Sequence, residues 1–344
     1  MHPSTQRPVK GQPTLEQVAA HAGVGRGTVS RVVNGSTHVS EPTRAAVLKA
    51  VQELGYVPNR AARSLVTRRT DTVALLISES EERIFGQPFF ASIVRGISAG
   101  VSESSRQLLL AMAQSPEELS RFDHYLTTQH VDGVLLLSLH GDDPLPRHLE
   151  ERGVPMVLGG RPSGWTGGHF VDVDNRGGAA VAVEHLMERG RRRIATVTGP
   201  PDMTAGQGRY EGYVDALTAA GIEPDPSLVS VGDFSEAGGE RAMTELLERR
   251  PDIDGVFAAS DLMAIGALRV LRLSNRAVPD DVAVVGFDDS PLARLTDPPL
   301  TTVHQPAEQM GRDMARLLVA QIDGSAAPED HVLLDTDLVV RDST

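Results

Sequence analysis

Cysteine is absent from the chain. That excludes disulfides, thiolate nucleophiles and the common structural zinc sites, and it suits a reducing cytosol. Long apolar runs are also missing. Stretches such as VLLL fall far short of the roughly 20 residues a membrane span needs. The N-terminal MHPSTQRPVKGQP has no apolar segment of the kind a secretion signal requires, so a cytoplasmic location and no membrane partner are expected. Signatures of catalysis are scarce too. There is no H-E-x-x-H, and the eleven histidines are scattered without ligand spacing. Asp288 and Asp289 form an adjacent carboxylate pair, but neighbouring strand residues point apart and no acid–base partner accompanies them. The chain reads as a non-enzyme, without metal or cofactor.

Charge is present but unevenly divided. The formal net charge is −13, yet residues 1–70 hold ten Lys/Arg against three acids, a balance of +7 that leaves −20 for the remainder. A basic head on an acidic body points to a module that faces nucleic acid. At 344 residues the chain exceeds one ordinary core, so two or three cooperating units are expected.

In the head, TLEQVAAHAG places Leu15, Val18, Ala19 and Ala22 on one helical face. Thr14 and Gln17 have the spacing of a capping box, and Gly23 ends the helix. A second helix carries Val29, Val32 and Val33 and stops at Asn34-Gly35. Ser40 caps a third, with Pro42 in its first turn and Gly55 closing it. About three residues separate the first two helices, which is helix-turn-helix spacing. The glycines of HAGVGRGTVSRVVNG are therefore no nucleotide loop: a helix precedes them where a strand is needed, and no Walker lysine follows. Gly25 and Gly27 instead leave the start of the second helix bare enough to press against DNA. Arg26 can then read a base edge, Thr28 and Ser30 are short donors for phosphates, and Arg31 reaches either.

After Gly55, Pro58 blocks the third helix, and Asn59 can cap a short segment through about Val66. So short a helix is marginal alone in water and folds only against a partner. The expected organisation is a flexible tail at 1–12, a helix-turn-helix head at 13–58, a hinge helix and linker at 59–70, and a core at 71–344. From Thr72 onward apolar runs (TVALLI, GVLLLS, RIATVTG, GVFAAS, VAVVGF) alternate with helical patterns such as RGGAAVAVEHLMERG. This βαβ order predicts parallel sheets covered by helices, and two sheets rather than one. Ligands of such sheets collect outside the carboxyl ends of the strands. There stand Ser138 and His140 after GVLLL, Arg161 after PMVLGG, Asp174 and Asn175 after HFVDV, Ser260 and Asp261 after GVFAA, Asp288 after VAVVGF, and Gln305 after TTVH. These polar groups suit a polyhydroxylated ligand, with Phe85, Phe89 and Phe90 as an apolar rim. Asp261 fits a helix N-cap equally well. Trp165 lies in a loop-like run and is either a lid or simply exposed.

In that order, TLEQVAAHAGVGRGTVSRVVNG, GYVPNRAARSL, DNRGGAAVAVEHL, ASDLMAIGALRVL and VAVVGFDDS resemble the LacI-type family of bacterial repressors along the full length. VGRGTVSRV, RSLVTRRTDTVALL, HVDGVLLLSLH and GGRP are similar to its cellobiose-responsive actinomycete branch. The resemblance implies an N-terminal all-α helix-turn-helix head and an α/β two-lobe periplasmic-binding-protein-like core that the chain crosses three times. Lobe one would take 71–171 and 305–329, and lobe two 172–304 and 330–344. Arg26 and Gly27 fall at base-reading positions, and Thr14, Thr28, Ser30, Arg31 and Asn34 at operator contacts. Tyr56 and Asn59 match backbone-contacting positions, Ala62 faces the minor groove, and Leu65 wedges between base pairs. Gly25 replaces the family's usual Ser and removes one phosphate contact. In the core the resemblance implies Arg209, Asp288 and Gln305 as sugar contacts, with Phe234 against a sugar face. The implied function is a repressor of sugar-utilisation genes. It would bind a palindromic double-stranded DNA operator as a homodimer and be released by a small sugar effector such as cellobiose or a related β-glucoside. No heptad tail follows the last strand, so a dimer is expected over a tetramer. Two alternatives stand beside it: a sugar-binding or sugar-modifying protein without operator function, and a regulator whose ligand is a co-repressor.

Overall fold

The computed structural model describes residues 13–33, 38–57, 69–113, 115–128, 130–161, 167–325 and 331–344. The expected tail, Asn34, Trp165 and the hinge positions Asn59, Ala62 and Leu65 lie outside the described residues. Two compact units meet in sequence at Thr70 and Asp71.

The first unit contains α1 (Leu15–Ala22), α2 (Arg26–Val33) and α3 (Glu41–Leu54). The capping box of α1 forms as its spacing predicts. The Gln17 amide donates to the Thr14 hydroxyl at 3.3 Å, and the Thr14 amide to the Gln17 side chain at 2.8 Å, which satisfies two donors the helix cannot. Gly23 and Gly55 end α1 and α3 with φ of 66° and 63°, the left-handed conformation that costs glycine least. Ser40 precedes α3, but its hydroxyl pairs with that of Thr43 at 2.9 Å rather than with a backbone amide. Val18, Val29, Val32, Val47 and Ala50 close a small core with Tyr56. None of these short helices is stable alone, so their shared apolar faces hold the unit together.

The second unit has two lobes. The sheet of lobe one contains β1 (Thr72–Ile77), β2 (Gln107–Met112), β3 (Gly133–Leu137), β4 (Met156–Gly159), β5 (His169–Val173) and β11 (His331–Leu334), in the order β11-β5-β4-β3-β1-β2. Helices α4 (Glu81–Gly86), α5 (Pro88–Glu103), α6 (Pro116–Thr127), α7 (Leu145–Glu151) and α12 (Ala307–Asp323) complete that lobe. The sheet of lobe two contains β6 (Ile194–Thr198), β7 (Val229–Val231), β8 (Gly255–Ala258), β9 (Ala283–Asp288), β10 (Thr301–His304) and β12 (Asp337–Val339), ordered β12-β10-β9-β8-β6-β7. Its helices are α8 (Asn175–Glu188), α9 (Thr204–Ala219), α10 (Glu236–Arg249) and α11 (Asp261–Leu273). All pairings are parallel except β12 on β10. Parallel strands covered on both faces read as unbroken apolar runs, and every residue of β3 is buried. In lobe one α5 and α12 pack backbone to backbone. A Cβ on Gly96 would lie 2.0 Å from the Glu308 carbonyl oxygen, and one on Gly311 2.2 Å from that of Ile93.

The chain passes between lobes after β5, after β10 and between β11 and β12. This corrects the expected lobe limits. His331–Leu334 pairs with Phe170–Val173 in the first sheet, so the last crossing falls at Asp335-Thr336 rather than at 330, and the first follows Val173 rather than 171. HVLLDTDLVV reads as one apolar tail. Only the pairing partners decide where it divides.

Candidate functional site

The strand ends of both lobes border a cleft lined by residues from Glu79 and Ser138 of lobe one to Ser260 and Asp288 of lobe two. Its polar centre is Arg209, projected from α9 and only 4% exposed. The guanidinium donates to Asn175 Oδ1 at 2.8 Å, the Ala259 carbonyl at 2.6 Å, Asp288 Oδ1 at 3.4 Å and Gln305 Oε1 at 3.4 Å. One of its faces lies 3.6 Å from the Phe287 ring centroid, an arrangement that stabilises a desolvated cation. Gln305 Nε2 in turn donates to Asp288 Oδ1 at 2.6 Å. A buried charge is tolerated only when paired and hydrogen-bonded, and here every partner comes from a different strand end or helix.

Backbone strain gathers at the same place. Ser138, Phe234, Asp288 and Asp289 adopt φ of 57°, 63°, 122° and 51°. Non-glycine residues in that region cost roughly 1–3 kcal/mol each and persist where the surroundings over-determine them. The Asp288–Ser290 turn is held from two sides. Asp289 accepts from Arg341 and pairs with His304 at 3.2 Å. Asp261 accepts from the Ser290 amide at 2.6 Å and the Thr302 hydroxyl at 2.5 Å.

Burial first, and then the charge of Asp288, push the Asp261 carboxyl up to about 8. Burial also raises Asp288, against the pull of Arg209 and the Gln305 hydrogen bond. An acid whose folded value lies above its unfolded one binds its proton more tightly when folded. Its contribution to stability is complete below the unfolded value and is lost as pH climbs through the folded one. The core should therefore lose stability as pH rises toward about 8. Asp261→Asn, which carries no proton to lose, should flatten that decline in thermal melts.

Of the residues predicted for this site, Arg209, Asp288, Gln305, Ser138, Phe90, Phe89 and Phe234 line the cleft. Four expectations are corrected. Phe85 is 73% exposed on α4, turned away from the cleft that Phe90 enters. Arg161 is exposed, lies over the Phe170 ring at 5.7 Å, and is outside the cleft lining. His140 is also outside that lining, because its ring is spent on Asp202 and Glu79. Ser260, not Asp261, caps α11: its hydroxyl accepts the Met263 amide at 3.3 Å, although both residues border the cleft. Asp174 caps α8 through the Gly177 amide at 2.8 Å. Sequence reasoning missed Glu79, Gln87, Asp172 and Thr204, which also line the cleft. Asp172 was concealed within a strand run, and Gln87 only by a helix start at Pro88 that the phenylalanines overshadowed.

No hydrolase elbow competes with this cleft. GISAG at 96–100 has the G-x-S-x-G spelling, but it lies within α5, where Ser98 is exposed. The elbow requires a strand-to-helix turn.

In the head, Arg26 opens α2, 72% exposed at the side chain and 3.2 Å from Glu16. A Cβ on Gly27 would meet no described atom nearer than Arg31 Nη2 at 4.0 Å. Nothing described within the chain requires glycine there. Arg31 leans back to the Gly27 carbonyl at 3.2 Å and stays exposed. Thr28 and Ser30 are half-buried on the same helix. Thr14 spends its hydroxyl on the capping box. Tyr56 is 9% exposed within the small core, so little of it is left to meet DNA.

A helix-turn-helix unit with an exposed arginine at the start of its second helix, joined in one chain to a two-lobed core with a polar cleft, defines a DNA-binding regulator with a sensing domain. Comparison with known proteins agrees. Residues 14–59 match bacterial regulatory proteins of the lacI family, and residues 183–344 a periplasmic binding protein-like domain. The chain is 59% identical to the HTH-type transcriptional regulator CelR of Thermobifida fusca, covering 96% of this chain and 98% of that protein. It is 34% identical to the transcriptional repressor CytR of Escherichia coli K12, covering 96% of each. Among solved structures it matches a CelR–cellobiose complex with TM-score 0.78 and 56% identity, covering 96% of this chain and 100% of that one. It matches the lac repressor dimer bound to operator and the anti-inducer ONPF with TM-score 0.85 and 29% identity, covering 96% and 98%. The chain belongs to the lacI family of bacterial transcriptional regulators.

Proposed function

We propose that the protein is a cytoplasmic, homodimeric repressor, without catalytic activity, that releases a palindromic operator when cellobiose or a related β-glucoside fills its cleft. The observation that carries this reading is the Arg209–Asp288–Gln305 network. It sets a buried donor, an acceptor and an amide side by side on the lobe-two side of the cleft, which is the pattern vicinal hydroxyls need. Phe89, Phe90 and Phe234 in the lining supply apolar faces for a sugar ring. Likeness to a relative solved with cellobiose supports the choice of sugar.

In this reading the sugar bridges the lobes and draws them together, and the change passes through the 59–70 connection to the heads. A tenfold loss of operator affinity needs about 1.4 kcal/mol of preference for the released state. The test is titration of operator-bound protein with cellobiose, cellotriose, lactose, maltose and glucose, read by fluorescence anisotropy. Cellobiose should release the operator at lower concentration than glucose or maltose. Tighter binding with sugar would make the ligand a co-repressor, and release by none of the panel would end the assignment. Operator affinity itself should fall steeply with salt, as phosphate neutralisation demands.

A further inference from the structure

The lobes also meet at a histidine outside the cleft lining. His140 follows β3 in lobe one. Its Nδ1 lies 2.8 Å from Asp202 Oδ2, in the loop before α9 of lobe two, and its Nε2 lies 3.3 Å from Glu79 Oε1 in lobe one. The backbone reinforces the junction, with the Gly141 amide donating to the Asp202 carbonyl at 2.8 Å. A neutral imidazole has one donor, whereas an imidazolium has two. With a carboxylate at each nitrogen, the ring that satisfies both is the charged one. Glu79 is no bystander. Its side chain is 5% exposed, pairs with Arg83 at 2.8 Å, and borders the cleft. The His140 bridge thus joins the cleft wall of one lobe to a loop of the other.

We propose that His140 is a closure latch: as an imidazolium it clamps Asp202 of lobe two to Glu79 of lobe one and so sets how tightly the cleft holds its sugar. It is a positioning residue, acting through closure rather than by touching the ligand, and the inference rests on the sugar-closing reading above. The charged groups around the ring favour its proton. Glu79, with its partner Arg83, and Asp202 face it directly; Asp142, Asp143, Asp123 and His148 line the same hollow. The Glu79 hydrogen bond lifts the His140 pKa above its ordinary value, burial opposes this, and Asp202 adds to the rise. A closed state that binds the proton more tightly than the open one is favoured below the raised value and loses that advantage as pH climbs through it.

The test uses the full chain. Cellobiose affinity is measured by calorimetry between about pH 6 and about pH 8, and the His140 titration is followed by NMR without sugar. Wild type should bind cellobiose roughly three- to tenfold more tightly at the acid end. His140→Gln and Asp202→Asn should bind more weakly and lose most of that dependence. The His140 midpoint should fall in Asp202→Asn. Variants that keep the wild-type pH profile, or a midpoint unmoved by Asp202→Asn, overturn the latch. If the protein binds no cellobiose at any pH, the effector assignment fails, and the NMR midpoint alone decides the latch.

Discussion

Asp288→Asn should weaken cellobiose binding about 100-fold, or roughly 2.7 kcal/mol, while sugar-free operator binding stays as it was. Hydrogen bonds to a charged group contribute about 1.5–3 kcal/mol each, and a carboxylate at this position accepts where an amide both accepts and donates. Asparagine is the informative replacement. It tolerates positive φ better than most residues, and Asp288 sits at φ 122°, so the turn survives the change. Arg209 keeps its hydrogen bonds to Asn175 and the Ala259 carbonyl but loses its ion pair with Asp288, so melting temperature should fall and is measured beside binding. Calorimetry with cellobiose and anisotropy with operator DNA separate the two activities. Sugar affinity within threefold of wild type would remove Asp288 from the site.

The second large effect is expected at the other end of the chain. Arg26→Ala should reduce the preference for operator over scrambled DNA by about 10- to 100-fold, in line with the roughly 1–3 kcal/mol an arginine–guanine contact discriminates. Sugar affinity should not change. Among the described residues Arg26 loses the exposed pair with Glu16, which contributes little to stability, so melting temperature should hold and the loss is assigned to DNA. Competition binding at one fixed salt concentration measures it. An unchanged preference would place base reading elsewhere on α2.

How much of this was legible in the sequence followed the range of the signals. The capping box of Thr14 and Gln17, the left-handed glycines at Gly23 and Gly55, and the apolar run of β3 are encoded within a few consecutive positions. A local rule finds them because the bonds they describe span a turn of helix or one strand. Alternation of such runs also announced two covered sheets. Arg209 was different. It lies inside α9, away from any strand end, and only the family likeness pointed to it.

The tertiary structure decided which of many polar strand ends converge. Phe85 and Phe90 are five residues apart, yet one is exposed on α4 and the other is buried in the cleft wall. Ser260 and Asp261 are adjacent, and it is Thr302 and Ser290 that claim Asp261 and leave the cap to Ser260. The division of the C-terminal tail depended on β5 and β10, more than thirty residues upstream at the nearest. By itself the sequence determined the local elements, the helix-turn-helix head and the two-sheet core, since their signals are short-range. The tertiary structure alone placed His140 between two lobes and Asp261 beneath Asp288, because the orientation of a side chain across a cleft is fixed by contacts from distant segments.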